Sequence, residues 1–174
     1  LDLPAASLVL WEVALVRNRL HHALFSPEGP ALDRERPQGL RVLVEGAVDV
    51  FFKRVPLAIT LCQQAGIRDI WLLTLSPRET YPGVTRVLSR VPITEVGAVY
   101  RSCDVLVKLS TVEGMFGPPL EMMSAGGTCV TSNVTAHDEY VRDGENALVV
   151  PQGEEHRAVE ALRRLATDPA LRAT

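Results

Sequence analysis

From residue 40 onward, short apolar runs alternate with longer stretches whose apolar residues recur at helical spacing. The apolar runs are Leu40–Val44, Asp69–Leu75, Arg86–Leu88, Val105–Val107, Cys129–Thr131 and Ala147–Val150. They are apolar throughout rather than at every second position, which predicts strands covered on both faces. Between them the pattern predicts four helices. The first runs from Lys53 to Ala65 and stops at Gly66, and the second runs from Thr94 to Cys103 with Thr94 as its N-cap. The third is Pro118–Ala125, with prolines in its first turn and Gly126-Gly127 at its end. The last is an amphipathic helix over Glu154–Thr167.

Short strands alternating with helices predict an α/β fold, a doubly wound, Rossmann-like parallel sheet of about six strands. Such sheets bind ligands beyond the carboxyl ends of their strands. The loops to inspect are therefore 45–53, 75–85, 109–118 and 132–138. The first 39 residues break this rhythm. Leu8–Trp11 reads as a strand and Ala14–Leu20 as a helix, with neither preferred. Ser26-Pro27-Glu28-Gly29-Pro30 and the charged run 33–37 then read as a linker, so the domain proper spans 40–174.

Composition narrows the function classes. With 18 basic and 21 acidic residues the net charge is -3, so there is no overall basic character to support nucleic-acid binding. Cys62, Cys103 and Cys129 are far apart, with no C-x-x-C spacing, which predicts free buried thiols in a reducing, cytoplasmic setting rather than disulfides or zinc. No apolar run reaches the ~18–20 residues of a membrane span. The start lacks both a basic signal-peptide region and an initiator Met, so a fragment or a processed chain is expected.

The loop after the fourth strand carries the chemistry: Ser110-Thr111-Val112-Glu113-Gly114-Met115-Phe116-Gly117-Pro118-Pro119-Leu120-Glu121. Two carboxylates bracket a glycine-bearing loop that runs into a helix. Gly114 and Gly117 permit unusual backbone shapes, and free amides at the helix start can meet an anion or a hydroxyl. Glu121, in the first turn, can accept two hydrogen bonds from a vicinal diol such as a ribose. A carboxylate there is also favoured in any helix by the macrodipole. Glu113 alone reads as a solvated loop residue. Only the combination points to a ligand. His21, His22 and His156 read as surface residues, and His137 as a surface or capping residue.

The run Glu113-Gly114-x-x-x-Pro118-Pro119-Leu120-Glu121-Met122-Met123-Ser124-Ala125-Gly126 resembles the E-x7-E motif of the retaining glycosyltransferases of family 4, which have the GT-B fold. Downstream, Gly127–Ser132, Glu139, Asp143-Gly144-Glu145-Asn146 and Leu148–Pro151 resemble that family's following segments, and upstream Tyr100–Val105 resembles its Y-x-x-A-D-V element. The likeness covers about residues 40–167. Val16–Pro27 resembles the stretch between the family's two domains, which makes 1–39 an interdomain remnant and linker.

The resemblance implies that this is the donor-binding half of a GT-B enzyme moving a sugar from a nucleotide-sugar donor to an acceptor hydroxyl. It implies that Glu121 binds the ribose, that Glu113 contacts the donor sugar near the reacting carbon, and that Gly114, Met115, Phe116 and Gly117 hold that sugar through their amides. Gly46 and Lys53 match the family's G-R-x-x-x-x-K-G element, whose cations neutralise the donor diphosphate. Ala47 stands at the arginine position, leaving Arg54 to supply the second charge. The glycine of the sugar-binding loop falls one place late, at Gly117. Neither a metal nor another cofactor is expected, since the family does not require one and no Asp-x-Asp occurs. The acceptor domain would lie outside this chain, which alone is expected to be inactive. The whole enzyme could associate peripherally with a membrane. Two other readings remain: a nucleotide-sugar 2-epimerase-like domain, and a non-catalytic nucleotide-binding or interaction module. An NAD domain is disfavoured, because Glu45-Gly46-Ala47-Val48 is not G-x-G-x-x-G.

Overall fold

The computed structural model describes residues 22–36, 38–135 and 137–172. The strand and helix readings of residues 8–20, most of the interdomain-like stretch, His21 and Ala136 lie outside the described residues.

Six strands form one sheet: β1 (Arg41–Glu45), β2 (Asp69–Thr74), β3 (Arg86–Ser89), β4 (Val105–Lys108), β5 (Thr128–Ser132) and β6 (Leu148–Val150). Every pairing is parallel and the order is β3-β2-β1-β4-β5-β6. The expected doubly wound α/β sheet is therefore present. Its continuous apolar strands reflect two covered faces, because successive side chains point to opposite sides. Val42, Val44, Ile70, Leu72, Val105 and Val107 face one core, with α1 (Val55–Gln64) and α4 (Ala158–Thr167) packed on it. Leu43, Trp71, Leu73, Leu106 and Cys129 face the other, under α2 (Ile93–Tyr100) and α3 (Gly117–Ser124). A short α5 (Pro169–Arg172), absent from the sequence reading, follows α4.

Three helix starts differ from the sequence pattern. The first helix does not begin at Lys53. Phe51–Lys53 is a 3-10 turn and Arg54 adopts a left-handed conformation, φ 49°, so α1 starts at Val55 with Pro56 in its first turn. Lys53 thus sits in a loop rather than on a helix. The second helix is capped by Pro92 rather than Thr94: the extended backbone of Pro92 (ψ 142°) starts the helix, and its carbonyl accepts from the Glu95 amide. The last splits into a 3-10 turn, Glu155–Arg157, and α4.

The 22–36 segment lies against α2. Phe25 is buried edge-on to Tyr100 (ring centroids 5.8 Å apart), and the Leu32 amide donates to Ala98 O and Ser102 Oγ. Gly97 makes that approach possible, since a Cβ there would run into the Leu24 carbonyl oxygen. Gly97→Ala is expected to lower stability by about 1–3 kcal/mol, as overpacking does. Limited proteolysis should then cut first within residues 22–36, while nucleotide binding is unaltered.

Candidate functional site

The strand order reverses between β1 and β4, so their carboxyl ends flank the crevice where a doubly wound sheet takes its ligand. Gly46 ends β1 at φ 148°, and its N–H donates to Leu73 O. A Cβ on it would press to 3.0 Å from Val55 Cγ2 and 3.3 Å from Lys53 Cβ. This tight turn folds the 47–53 loop back over the strand ends. The Thr111 amide then donates to Phe52 O at 2.9 Å, tying that loop to the one after β4.

Four charged side chains meet there. Lys53 Nζ lies 2.6 Å from Glu113 Oε2, and Lys108 Nζ lies 3.3 Å from Glu113 Oε1 while also pairing with Glu45. Lys108 is almost wholly buried at 2% side-chain exposure, Glu113 is 9% exposed, and Lys53 is the more open at 23%. Burial pushes the Glu113 carboxyl upward, but the Lys108 charge and the Lys53 hydrogen bond outweigh it and hold Glu113 below the ordinary carboxylate range. Among the described residues, Glu113 Oε1 and Ser110 Oγ are buried with no hydrogen bond of good geometry; Lys108 touches Oε1 as an ion contact, and the nearby Ser110 hydroxyl helps to lower the carboxyl.

Glu121 is near Glu45 and Lys108, in a cleft that Glu45 also lines. Buried Tyr100 donates to its Oε2 at 2.9 Å. Burial raises the Glu121 carboxyl, with nearby Glu45 adding to the rise, and the Tyr100 hydrogen bond and Lys108 opposing it. Glu45, Thr74, Leu75, Ile93, Pro118 and Glu121 are among the residues lining a cleft of about 330 Å³ at the ends of β1 and β2, beneath α2 and α3. The cleft is apolar along Leu75 and Ile93 and carboxylate-bearing at its floor.

Between the two glutamates, Gly114 and Met115 are exposed, and the Gly114, Met115 and Phe116 amides have no acceptor among the described residues. The Phe116 side chain is buried, and its carbonyl accepts from Tyr140, so only its amide is left for a ligand. Gly117 opens α3 within 3.6 Å, measured from an added Cβ, of Glu121 Oε1.

The structure thus brings Lys53, Glu113 and Gly46 together, with the 114–117 loop following Glu113 in the chain and Glu121 joined to them through Glu45 and Lys108. It does not bring Arg54 to them: its guanidinium pairs with Glu155, on the turn before α4. Sequence reasoning passed over Glu45, Tyr100 and Lys108. The one signal for the last was a lysine closing an otherwise apolar run, Val105-Leu106-Val107-Lys108. His137 Nδ1 contacts Val134 O at 2.7 Å, and Cys62, Cys103 and Cys129 are free and buried. A separate depression of about 430 Å³ at the amino end of the sheet is lined by Arg34, Arg36, Arg101 and Arg172. Those guanidiniums are engaged by backbone carbonyls and Asp104, pinning the 22–36 segment and the last helix in place. Among the described residues no three His, Cys, Asp or Glu side chains group to hold a metal, and no helix is long and apolar enough to cross a membrane.

A doubly wound α/β domain with an acid–base crevice at its switch point is the class that the fold and the site define. The sequence matches the family described as glycosyl transferases group 1 over residues 78–174, more than half of the chain, and the chain belongs to that family. No curated protein matches it. Among solved structures it is similar to the C-terminal domain of the group 1 family glycosyl transferase LpcC from Francisella tularensis, at 18% identity and TM-score 0.64, covering 89% of this chain and 91% of that one. It is also similar to sucrose-phosphate synthase from Thermosynechococcus elongatus (19% identity, TM-score 0.68, 88% of this chain and 43% of that one). A third is HepE of Anabaena, solved with UDP (20% identity, TM-score 0.61, 78% and 42%). The architecture is that of one half of a GT-B fold, and the chain spans less than half the length of the latter two proteins.

Proposed function

We propose that this chain is the donor-nucleotide-sugar-binding half of a retaining glycosyltransferase of family 4. The observation that carries the reading is the Glu45–Lys108 pair that joins the two glutamates: Glu45 lines one cleft with Glu121, and Lys108 contacts Glu113. Glu113 is joined to Lys53, and Glu121 lines a cleft about 330 Å³ in volume, a size suited to a nucleoside. Glu121 Oε1 is free of the Tyr100 hydrogen bond and accepts from the ribose hydroxyls. The base lies along Leu75 and Ile93. The donor diphosphate lies toward Lys53, and the sugar lies over the 114–117 amides, beside Glu113.

In the transfer the glycosidic bond to the diphosphate breaks and negative charge grows on the leaving oxygen. Lys53 and the preorganised loop amides stabilise that charge, which is electrostatic catalysis requiring no metal from this chain. Glu113, held ionised, faces the positive charge developing at the anomeric carbon. The acceptor comes from a second domain. Phe51, Leu75, Ile93, Val112 and Met115, five exposed large apolar side chains, all sit in or beside the loops on this face, as a surface built to be covered does. This domain alone is therefore inactive. The three buried thiols suit a cytoplasmic setting.

A panel of ADP, GDP, UDP and their sugars, screened by thermal unfolding, tests the reading. At about a hundred times its Kd a bound nucleotide adds about 2.7 kcal/mol of stability. One member should raise Tm strongly over the others. No shift with any of them at millimolar concentration removes the donor-binding reading.

A further inference from the structure

We infer that Lys108 is a positioning residue for this site: it holds Glu113 ionised and in place so that Lys53 can leave Glu113 and engage the donor diphosphate. The inference rests on the donor-binding reading above.

The charge inventory of the crevice makes the case. Lys53 and Lys108 face Glu45 and Glu113, so the four-membered cluster is neutral overall. An incoming diphosphate gains little from a neutral cluster unless one ammonium turns to it. Arg54 is not part of this cluster; its guanidinium pairs with Glu155, on the turn before α4. Lys53 is the ammonium with access, at 23% side-chain exposure, but it is bound to Glu113 at 2.6 Å. With no second cation present, its departure would leave Glu113, 9% exposed, as a buried carboxylate without compensation, which is strongly unfavourable.

Lys108 removes that obstacle. Its Nζ stands 3.3 Å from Glu113 Oε1, the oxygen with no hydrogen bond of good geometry among the described residues, and it is fixed from behind by Glu45. The Ser110 hydroxyl, two residues beyond Lys108, is buried beside the same carboxylate and already helps to lower it. Glu113 can therefore exchange Lys53 for a full contact with Lys108 without losing its counter-charge. Lys108 touches no substrate; it acts through Glu113.

The test uses the full 174-residue chain and the nucleoside diphosphate selected by the ADP, GDP and UDP panel. Lys108→Met is combined with Glu45→Gln, so that no lone carboxylate remains behind Lys108. Relative to Glu45→Gln alone, the double variant should bind the nucleoside diphosphate about tenfold more weakly, the size of one lost charge-assisted hydrogen bond. Adding Glu113→Gln should restore the affinity, because Lys53 then has no carboxylate to abandon. Glu113→Gln in the otherwise wild-type chain is the reference, because removing a carboxylate beside Lys53 strengthens diphosphate binding in any background; no loss in the double variant, or a gain from Glu113→Gln no larger there than in the wild type, overturns the inference. If Lys108→Met/Glu45→Gln does not fold, Lys108→Gln/Glu45→Gln, which keeps a hydrogen bond between the two positions, takes its place. Failure of the wild type to bind any nucleoside diphosphate marks failure of the donor-binding reading itself, a different outcome from unchanged affinity in the variants.

Discussion

Replacing Glu121 with alanine is expected to weaken nucleoside diphosphate binding about ten- to hundredfold, the loss of roughly 1.5–3 kcal/mol for a charge-assisted hydrogen bond to the ribose. The variant should also lose stability, for a reason separate from binding. Tyr100 is buried and donates its hydroxyl to Glu121 Oε2, so alanine leaves a buried phenol without an acceptor, a penalty of about 1–3 kcal/mol. Glu121→Gln separates the two effects. Its amide oxygen still accepts from Tyr100, so unfolding in urea should match the wild type closely, while the loss of charge still weakens nucleotide binding. Titration calorimetry on the three proteins reads the binding effect, and urea unfolding reads the stability effect. Equal affinities of wild type and Glu121→Ala would remove Glu121 from the ribose. A 2′-deoxynucleotide should bind the wild type less well and narrow the gap between them.

The pH dependence follows from the same surroundings. Burial and Glu45 hold the Glu121 carboxyl above its ordinary value. The groups around it are Tyr100 on α2, Glu45 on β1 and Lys108 on β4, and the balance favours a proton earlier than usual as pH falls. A protonated carboxyl is the poorer acceptor for ribose hydroxyls. Affinity should therefore decline as pH falls toward and through that raised value, and Glu121→Gln should be flatter over the same range.

These details show where sequence and structure part company. The apolar runs were long enough, and the turn residues clear enough, to read six strands and their parallel arrangement. That information is local, because a strand covered on both faces must be apolar throughout. The two glutamates stood out by their place around one glycine-bearing loop and by resemblance to the E-x7-E motif, but spacing did not place either of them beside the Glu45–Lys108 pair. Glu121 was legible as a first-turn carboxylate but not as the acceptor for a tyrosine 21 residues away. On the first view its removal would cost only ~0.3–1 kcal/mol in stability, and the partner from α2 changes that expectation. Lys108 and Glu45 meet only because the sheet sets β1 beside β4, a pairing between residues 63 positions apart. Arg54 was misplaced by a backbone event: one left-handed residue before α1 separates its side chain from that of Lys53. Charge and spacing alone cannot register such a turn.

The largest loss of stability should come from the far end of the sheet, with Arg41→Met. Arg41 opens β1 almost fully buried. It pairs with Asp69 at 2.7 Å and Asp33 at 2.9 Å, donates to the carbonyls of Asp33, Glu35 and Ser102, and lies 4.2 Å over the Trp71 ring. Asp69 is also buried, with Thr85 donating to its other oxygen. Methionine keeps much of the volume but strands the Asp69 charge, which should cost about 3–5 kcal/mol. For a domain of this size that lowers Tm by roughly 10 °C. Removing the charge from both sides, as Arg41→Met/Asp69→Asn, should recover much of the loss, because no buried ion is then left alone. If the double variant is as unstable as the single, the carbonyl and ring contacts of Arg41 carry the energy and the ion pair does not. Nucleotide affinity is the internal control. Arg41 is at the amino end of β1 and the crevice at its carboxyl end, so the folded fraction of Arg41→Met should bind like the wild type. A parallel fall in affinity would mean that the 22–36 segment, which Arg41 tethers through Asp33 and Glu35, reaches the site by way of Phe25 and Tyr100.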